Sequence, residues 1–200
     1  MPCLLLGNLL CASAYAANEL QPTQVLDLYL KVLINRDIRS ATEINDYMRP
    51  LTGQNVFNLQ GILDMEDLNA AASPQQTESE RLFLKTLLAA AQRSSCQSTA
   101  SELERDAATG NRIASVEYVC FIPDAHVSTA LKAFENAAAS DAAKAAILSG
   151  IITKLEAAPI EKEIVGILQL QEVKAGGKSY WRPVAIGNTL SLVLGNLISE

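Results

Sequence analysis

Hydrophobic residues recur with the period of an α-helix shortly after residue 20. The apolar positions that share one face of this helix are Val25, Leu26, Tyr29, Val32 and Leu33. Pro22 suits the first helical position, and Thr23 can cap the helix. The polar run at 35–37 ends the pattern, so we expect a helix from about residue 22 to residue 34.

Later stretches repeat the helical pattern. Capping-box sequences at 40–43 and 77–80 each precede apolar residues at helical spacing, and Pro50 should stop the first of these helices. Asp124 can cap a helix that reaches about residue 139, with His126 exposed in its first turn. Three further helices are predicted at 62–72, 140–157 and 189–198.

A different pattern, rich in Ile, Val, Tyr and Phe, occupies residues 112–122 and is typical of a β-strand. The turn signal Thr109-Gly110-Asn111 lies just before it. If the chain reverses at 107–110, Asp106 pairs with Asn111 in a hairpin. The first strand of this hairpin has a weak pattern, because residues 101–105 would also suit one helical turn.

The same hairpin brings two cysteines close to each other. Cys96 falls about one position from Cys120 across the proposed strand pair, which makes a disulfide between neighbouring strands geometrically plausible. Two buried free thiols are the alternative.

Residues 160–186 have the pattern of a second hairpin, with strands at 164–173 and 179–186 and a turn at 175–177. Both faces of its first strand are partly apolar, as in a sheet that is covered on one side and lines a cavity on the other. Pro183 cannot donate a backbone hydrogen bond, so the return strand should be an edge strand or carry a bulge.

Helices combined with antiparallel hairpins predict an α+β fold, here a single domain over residues 17–200. The chain is 49% hydrophobic, which is enough to bury a sizeable core. A mostly α-helical fold is the alternative, because helical patterns account for most of the chain.

Residues 1–16 have the pattern of a secretory signal peptide, with an apolar run followed by Ala14-Tyr15-Ala16. The apolar run is shorter than the roughly 20 residues of a spanning helix, so we expect no stable membrane insertion. After removal of this segment two cysteines remain, and an even count suits one disulfide in an oxidising compartment. We therefore expect a periplasmic or secreted protein.

Two stretches resemble the nuclear-transport-factor-2-like (NTF2-like, SnoaL-like) superfamily. Residues 22–33 are similar to the opening helix of many members, and residues 178–184 are similar to their common Gly-x-Trp-x-Val strand. The resemblance implies a cone of curved antiparallel sheet and packed helices, with an apolar pocket between the sheet and the first helix. The helical pair at 124–158 would then be an insertion.

Catalytic members of that superfamily use acid and base side chains in the pocket, where Asp27, Tyr29, Asp46 and Tyr47 are the candidates in this chain. The chain contains neither a nucleotide-binding glycine motif nor a zinc-protease motif. Its one histidine is too few for a histidine-based zinc site. We therefore expect no catalysis, no cofactor and no metal.

The net charge of −6 argues against a nucleic-acid partner, because phosphate binding requires a basic patch. The acidic helix at 64–67 is interpreted as a solvated face rather than a calcium site, since the EF-hand spacing is absent.

These observations predict an exported, non-catalytic binding protein, such as an inhibitor or immunity-type protein that binds another envelope protein. Small-molecule or lipid binding in an NTF2-like pocket is the alternative, and a homo-oligomer stays open. The candidate pocket or interface residues are Tyr29, Tyr47, Tyr180 and Trp181.

Overall fold

A computed structural model describes residues 20–64, 77–107, 109–136 and 141–199. The predicted signal peptide, the acidic stretch at 65–67 and the end of the helix predicted at 62–72 lie outside the described residues. The helices are α1 (Pro22–Asn35), α2 (Ile38–Thr52), α3 (Leu59–Asp64), α4 (Glu78–Gln92), α5 (Ser128–Asn136), α6 (Asp141–Ala157) and α7 (Gly187–Ile198). The strands are β1 (Ser95–Arg105), β2 (Arg112–Pro123), β3 (Ile160–Ala175) and β4 (Lys178–Pro183).

The four strands form one curved antiparallel sheet in the order β1-β2-β3-β4. The predicted α+β class is confirmed, and the mostly α-helical alternative is wrong. Helix α1 contacts both edge strands, β1 and β4, and so spans one face of the sheet, which we call the inner face. The helical pair between β2 and β3 is present as α5 and α6.

The first hairpin has the predicted turn. The Asp106 N–H donates to the carbonyl of Asn111 at 2.9 Å. A β-bulge between Ser98 and Ala100 then shifts the register of β1 by one residue. Because of that shift, Cys96 stands directly opposite Cys120 instead of one position away, and the two cysteines form the predicted disulfide.

The second hairpin turns through Gly176 and Gly177, whose φ angles of +57° and +77° favour glycine. Strand β3 begins at Ile160, four residues earlier than predicted, and the return strand ends at Pro183. β4 is an edge strand, so Pro183 occupies the kind of position predicted for it.

Several predicted helix boundaries are wrong, because other residues provide the caps. Gln21, not Thr23, precedes α1, and its capping box is formed with the side chain of Gln24. Asp37 caps α2, while Ser40 lies inside the helix and donates its hydroxyl to the Asp37 carboxylate at 2.7 Å.

Pro50 does not stop α2. The helix continues to Thr52 and ends at Gly53, which has a left-handed φ of +67°. The second capping box is confirmed, since the Thr77 hydroxyl accepts from the Glu80 N–H and the Glu80 carboxylate accepts from the Thr77 N–H.

Asp124 does not cap a helix either. Its N–H donates to the carbonyl of Pro159 at 2.9 Å, so it joins the end of β2 to the start of β3. His126 is exposed as predicted, but it lies before α5 with a left-handed φ of +46° and contacts the Asp124 carboxylate at 3.3 Å. Helix α5 begins only at Ser128.

The core fills the space between α1 and the inner face of the sheet. The fully buried side chains of the helix side include Leu26 and Leu30, and those of the sheet include Val116 and Leu170. Helix α7 also packs on the body, with Val193 and Leu197 buried. The apolar face of this C-terminal helix is therefore buried against the domain.

Candidate functional site

The four aromatic residues predicted as a pocket or interface lie near one another at the edge strand β4. The ring centroids of Tyr47 and Tyr180 are 5.4 Å apart, and the backbone N–H of Trp181 donates to the Tyr47 hydroxyl at 2.6 Å. The Tyr29 ring lies 5.6 Å from that of Phe57. Since Tyr29, Tyr180 and Trp181 are all buried, these rings are packed against α1 and α2.

The environment of Tyr29 is dry. Burial raises the pKa of the Tyr29 phenol to about 12; the nearby Tyr47 also raises it, and the Arg182 guanidinium lowers it. The neutral phenol is therefore the form that the folded protein accommodates.

Trp181 belongs also to a second group of side chains, on the other side of β4. The Arg112 guanidinium lies 5.4 Å from the centre of the Trp181 ring and pairs with the Glu172 carboxylate at 3.3 Å. Glu172 is buried at an inner-face position of β3, two residues after Leu170. A carboxylate at an inward position of an alternating strand is the signal by which the sequence could have revealed this ion pair.

The two candidate catalytic carboxylates serve different parts of the structure. Asp27 accepts a hydrogen bond from the Ser98 N–H at 2.7 Å, which ties α1 to β1 at the bulge. Asp46 forms an exposed ion pair with Arg49 at 3.0 Å. Among the described residues, no group of three or more metal-ligating side chains is brought together.

The second apolar face of β3, which was expected to line a cavity, belongs to the exposed, outer face of the sheet. The large apolar side chains that it exposes are Val165 and Ile167, each 64% accessible, and Phe121. Glu117 pairs with Ile167 and Glu163 pairs with Phe121 across β2 and β3, and both glutamates are exposed. The outer face is thus an apolar strip bordered by carboxylates.

A cavity of about 480 Å³ lies beside β3 on the side away from β2, where the chain leaves β4 and enters α7. We call it the trough, and its main walls are Ile167 and Leu168 of β3, Val184, and Leu192 of α7. The Tyr118 ring lies across Gly166, where any side chain would overlap it. Glycine at position 166 therefore lets an aromatic ring form the floor of the trough.

The part of the interior that the NTF2-like resemblance assigns to a ligand holds core side chains. Leu26 and Leu30 of α1 belong to the same buried cluster as Val116 and Leu170 of the sheet. The trough, by contrast, is open at the surface, since Ile167, Val184 and Leu192 in its walls are exposed.

Comparisons with protein-family models, with curated proteins and with solved structures find no match to this chain. In the part of the chain that the structure describes, no helix is both long and apolar enough to cross a membrane. The NTF2-like relationship stays a prediction.

Proposed function

We propose that this chain is an exported, non-catalytic binding protein whose outer sheet face docks onto a basic surface of another protein. A periplasmic or secreted inhibitor or immunity-type protein fits this description. The disulfide between Cys96 and Cys120 supports export, because such bonds persist in oxidising compartments and are rare in the cytosol.

The single observation that carries the proposal is the composition of the outer face. Val165 and Ile167 are the two most exposed large apolar side chains of the described residues, and they are adjacent on that face. Exposed apolar surface rimmed by polar groups marks interaction sites. Because the rim here includes Glu117 and Glu163, the complementary partner has an apolar centre surrounded by Lys or Arg.

The arrangement of carboxylates supports a binding role over a catalytic one. A paired-carboxylate mechanism needs both groups at one reacting centre. Asp27 instead binds a backbone N–H of β1, and Asp46 pairs with Arg49 at the surface.

The test starts from a partner captured by cross-linking in the exported fraction, which is then purified and bound to this protein in solution. We expect the double variant Glu117→Lys/Glu163→Lys to weaken that binding at least about tenfold, because like charges would meet across the interface. Binding of the unmodified protein should also weaken as salt is raised.

The matched control is Glu156→Lys, which reverses an exposed carboxylate on α6, away from the sheet face. It should leave the affinity within about twofold. Equal losses for the control and for the outer-face variant, or binding that is indifferent to salt, would refute docking through the outer face.

A further inference from the structure

The edge of β3 is paired along only part of its length. Strand β2 pairs with β3 from Ile160 to Gln171, whereas β4 pairs with its other side only from Leu170 onward. One more bond, from the Val184 N–H to the Gln169 carbonyl at 3.0 Å, extends that contact. Among the described residues no strand pairs with this side of 160–168, so its backbone groups can accept an additional strand.

The trough lies along the same edge and is apolar on several sides. Ile167, Val184 and Leu192 line it and remain partly exposed, at 64%, 61% and 38%. The Tyr118 ring forms its floor because residue 166 has no side chain. A volume of about 480 Å³ accommodates one or two apolar side chains of a bound segment.

From this edge and the adjoining trough, we propose that an extended segment of the partner protein adds to β3 as a further strand. This inference rests on the proposed function and specifies how the partner binds. In an extended segment successive side chains point to opposite sides. Apolar residues of the segment enter the trough, and the alternate residues, Lys or Arg, lie on the outer side beside Glu161 and Glu163, which are both exposed.

A second copy of this chain does not fit the trough. If two copies paired through their β3 edges, the side chains available on the trough side would be those of Ile164 and Leu168. Both are buried in their own core, and Gly166 between them offers no side chain. The Lys162 side chain is on the same side of β3, but its ammonium group already donates to the carbonyls of Asn196 and Ser199, so it is not available to a second copy. The occupant is therefore a partner segment with its own free apolar side chains.

The experiment uses a synthetic peptide of about nine residues in which Lys alternates with Val and Leu. Its control is the same sequence N-methylated at alternate residues, which keeps the side chains and removes the hydrogen bonds of one edge. We expect the unmethylated peptide to slow amide exchange within residues 160–168 and to bind at least about tenfold more tightly than the methylated one. Equal affinity of the two peptides, protection elsewhere, or no binding at millimolar concentration would overturn the proposal.

A pair of variants locates the binding. Leu192→Lys places a charge in the trough and should weaken the peptide at least about tenfold. Leu103→Lys, which alters an exposed leucine on β1, should change the affinity less than about twofold. Equal effects of the two variants would contradict binding in the trough.

The two proposals fail separately. If the purified partner requires Glu117 and Glu163 but is neither displaced by the peptide nor weakened by Leu192→Lys, strand addition is refuted and the proposed function stands. If the peptide protects β3 but no basic partner binds the outer face, the proposed function is refuted.

Discussion

The edges of β1 and β3 are both exposed borders of the same sheet, but they differ in the contacts that hold their residues in place. At β1, the disulfide ties Cys96 to Cys120, and the Asp27 carboxylate accepts the Ser98 N–H. Along residues 160–168 of β3 no strand pairs with the free side among the described residues. The Lys162 side chain reaches the end of α7, and the neighbouring Val165 and Ile167 are exposed. The contrast indicates that edge protection is local, and that the edge left open is the one beside the apolar trough.

The edge of β4 resembles that of β1. The Tyr47 hydroxyl accepts the Trp181 N–H, and the strand ends at Pro183, which lacks an N–H. Two of the three borders are therefore closed by side chains from α1 and α2. Variants at each border therefore test whether the closed borders contribute stability and the open border does not.

The largest effect is expected from removing the disulfide. The double variant Cys96→Ala/Cys120→Ala frees a loop with a sequence separation of 24 residues, and it should lower the free energy of unfolding by about 3 kcal/mol. Guanidinium denaturation of the oxidised wild type and the variant measures the difference. A loss below about 1 kcal/mol would mean that α1, not the disulfide, holds the β1 edge.

Alkaline pH should weaken the aromatic packing beside β4. In the unfolded chain the Tyr29 phenol ionises near its ordinary value of about 10, whereas the pKa in the folded protein is about 12. Between these values the unfolded state has lost a proton that the folded state keeps, so stability falls by about 1.4 kcal/mol per pH unit. This contribution is complete below pH 10 and is lost as the pH rises toward 12.

Denaturation of the wild type and of the Tyr29→Phe control at several pH values measures the contribution of the Tyr29 phenol to stability. The variant should lack the part of the alkaline slope that Tyr29 provides. An absorbance titration in which Tyr29 ionises near pH 10 would show that water reaches the cluster.

At the β1 edge, Asp27→Ala leaves the Ser98 N–H without its carboxylate and should cost about 2 kcal/mol. Asp46→Ala is the matched control, since it removes an exposed ion pair with Arg49 and should cost less than about 0.5 kcal/mol. Urea denaturation compares the two variants. Similar losses for both variants would mean that the hydrogen bond between Asp27 and Ser98 does not specifically stabilise the β1 edge.

At the β4 edge, Tyr47→Phe removes the acceptor of the Trp181 N–H and should cost about 1 kcal/mol. Faster amide exchange at Trp181 should accompany the loss. If exchange there is unchanged in the variant, another group protects this amide.

The smallest effect is expected at the open edge. Ile167→Lys replaces an exposed side chain and should change stability by less than about 0.5 kcal/mol. Leu168→Ala is the contrasting variant, because Leu168 is buried and its truncation should lower the denaturation midpoint clearly. A strongly destabilised Ile167→Lys protein would mean that the outer face is part of the core rather than a free surface.

Local signals in the sequence predicted the features that depend on a few neighbouring residues. The turn before Asn111, the glycines at 176 and 177, and the cap at Thr77 follow from conformational preferences that act within the chain. The disulfide was predicted because the turn fixes the approximate register of its two strands. The α+β class follows from the same turns and from the helical periods.

Features that depend on tertiary contacts were not predicted. Asp37 and Ser40 are both acceptable caps in the sequence, and only the path of the chain after α1 places Asp37 first. The aromatic residues named as pocket or interface candidates lie near one another, but their burial within the domain depends on α2 lying against β4. The open edge of β3 exists because β4 is shorter than its partner, a length set by Pro183 and by the turn into α7.

The bulge at Thr99 has a consequence for how this hairpin tolerates insertions and deletions. Before Thr99 the register of β1 on β2 is the one set by the Cys96–Cys120 pair, and after Thr99 it is the one set by the turn. The two registers differ by one residue, and Thr99 is the extra residue. Loss of that amino acid would leave every partner on either side unchanged and give an uninterrupted ladder. A deletion of Thr99 should therefore leave the disulfide and the reverse turn in place and reduce the local bend and twist of the hairpin.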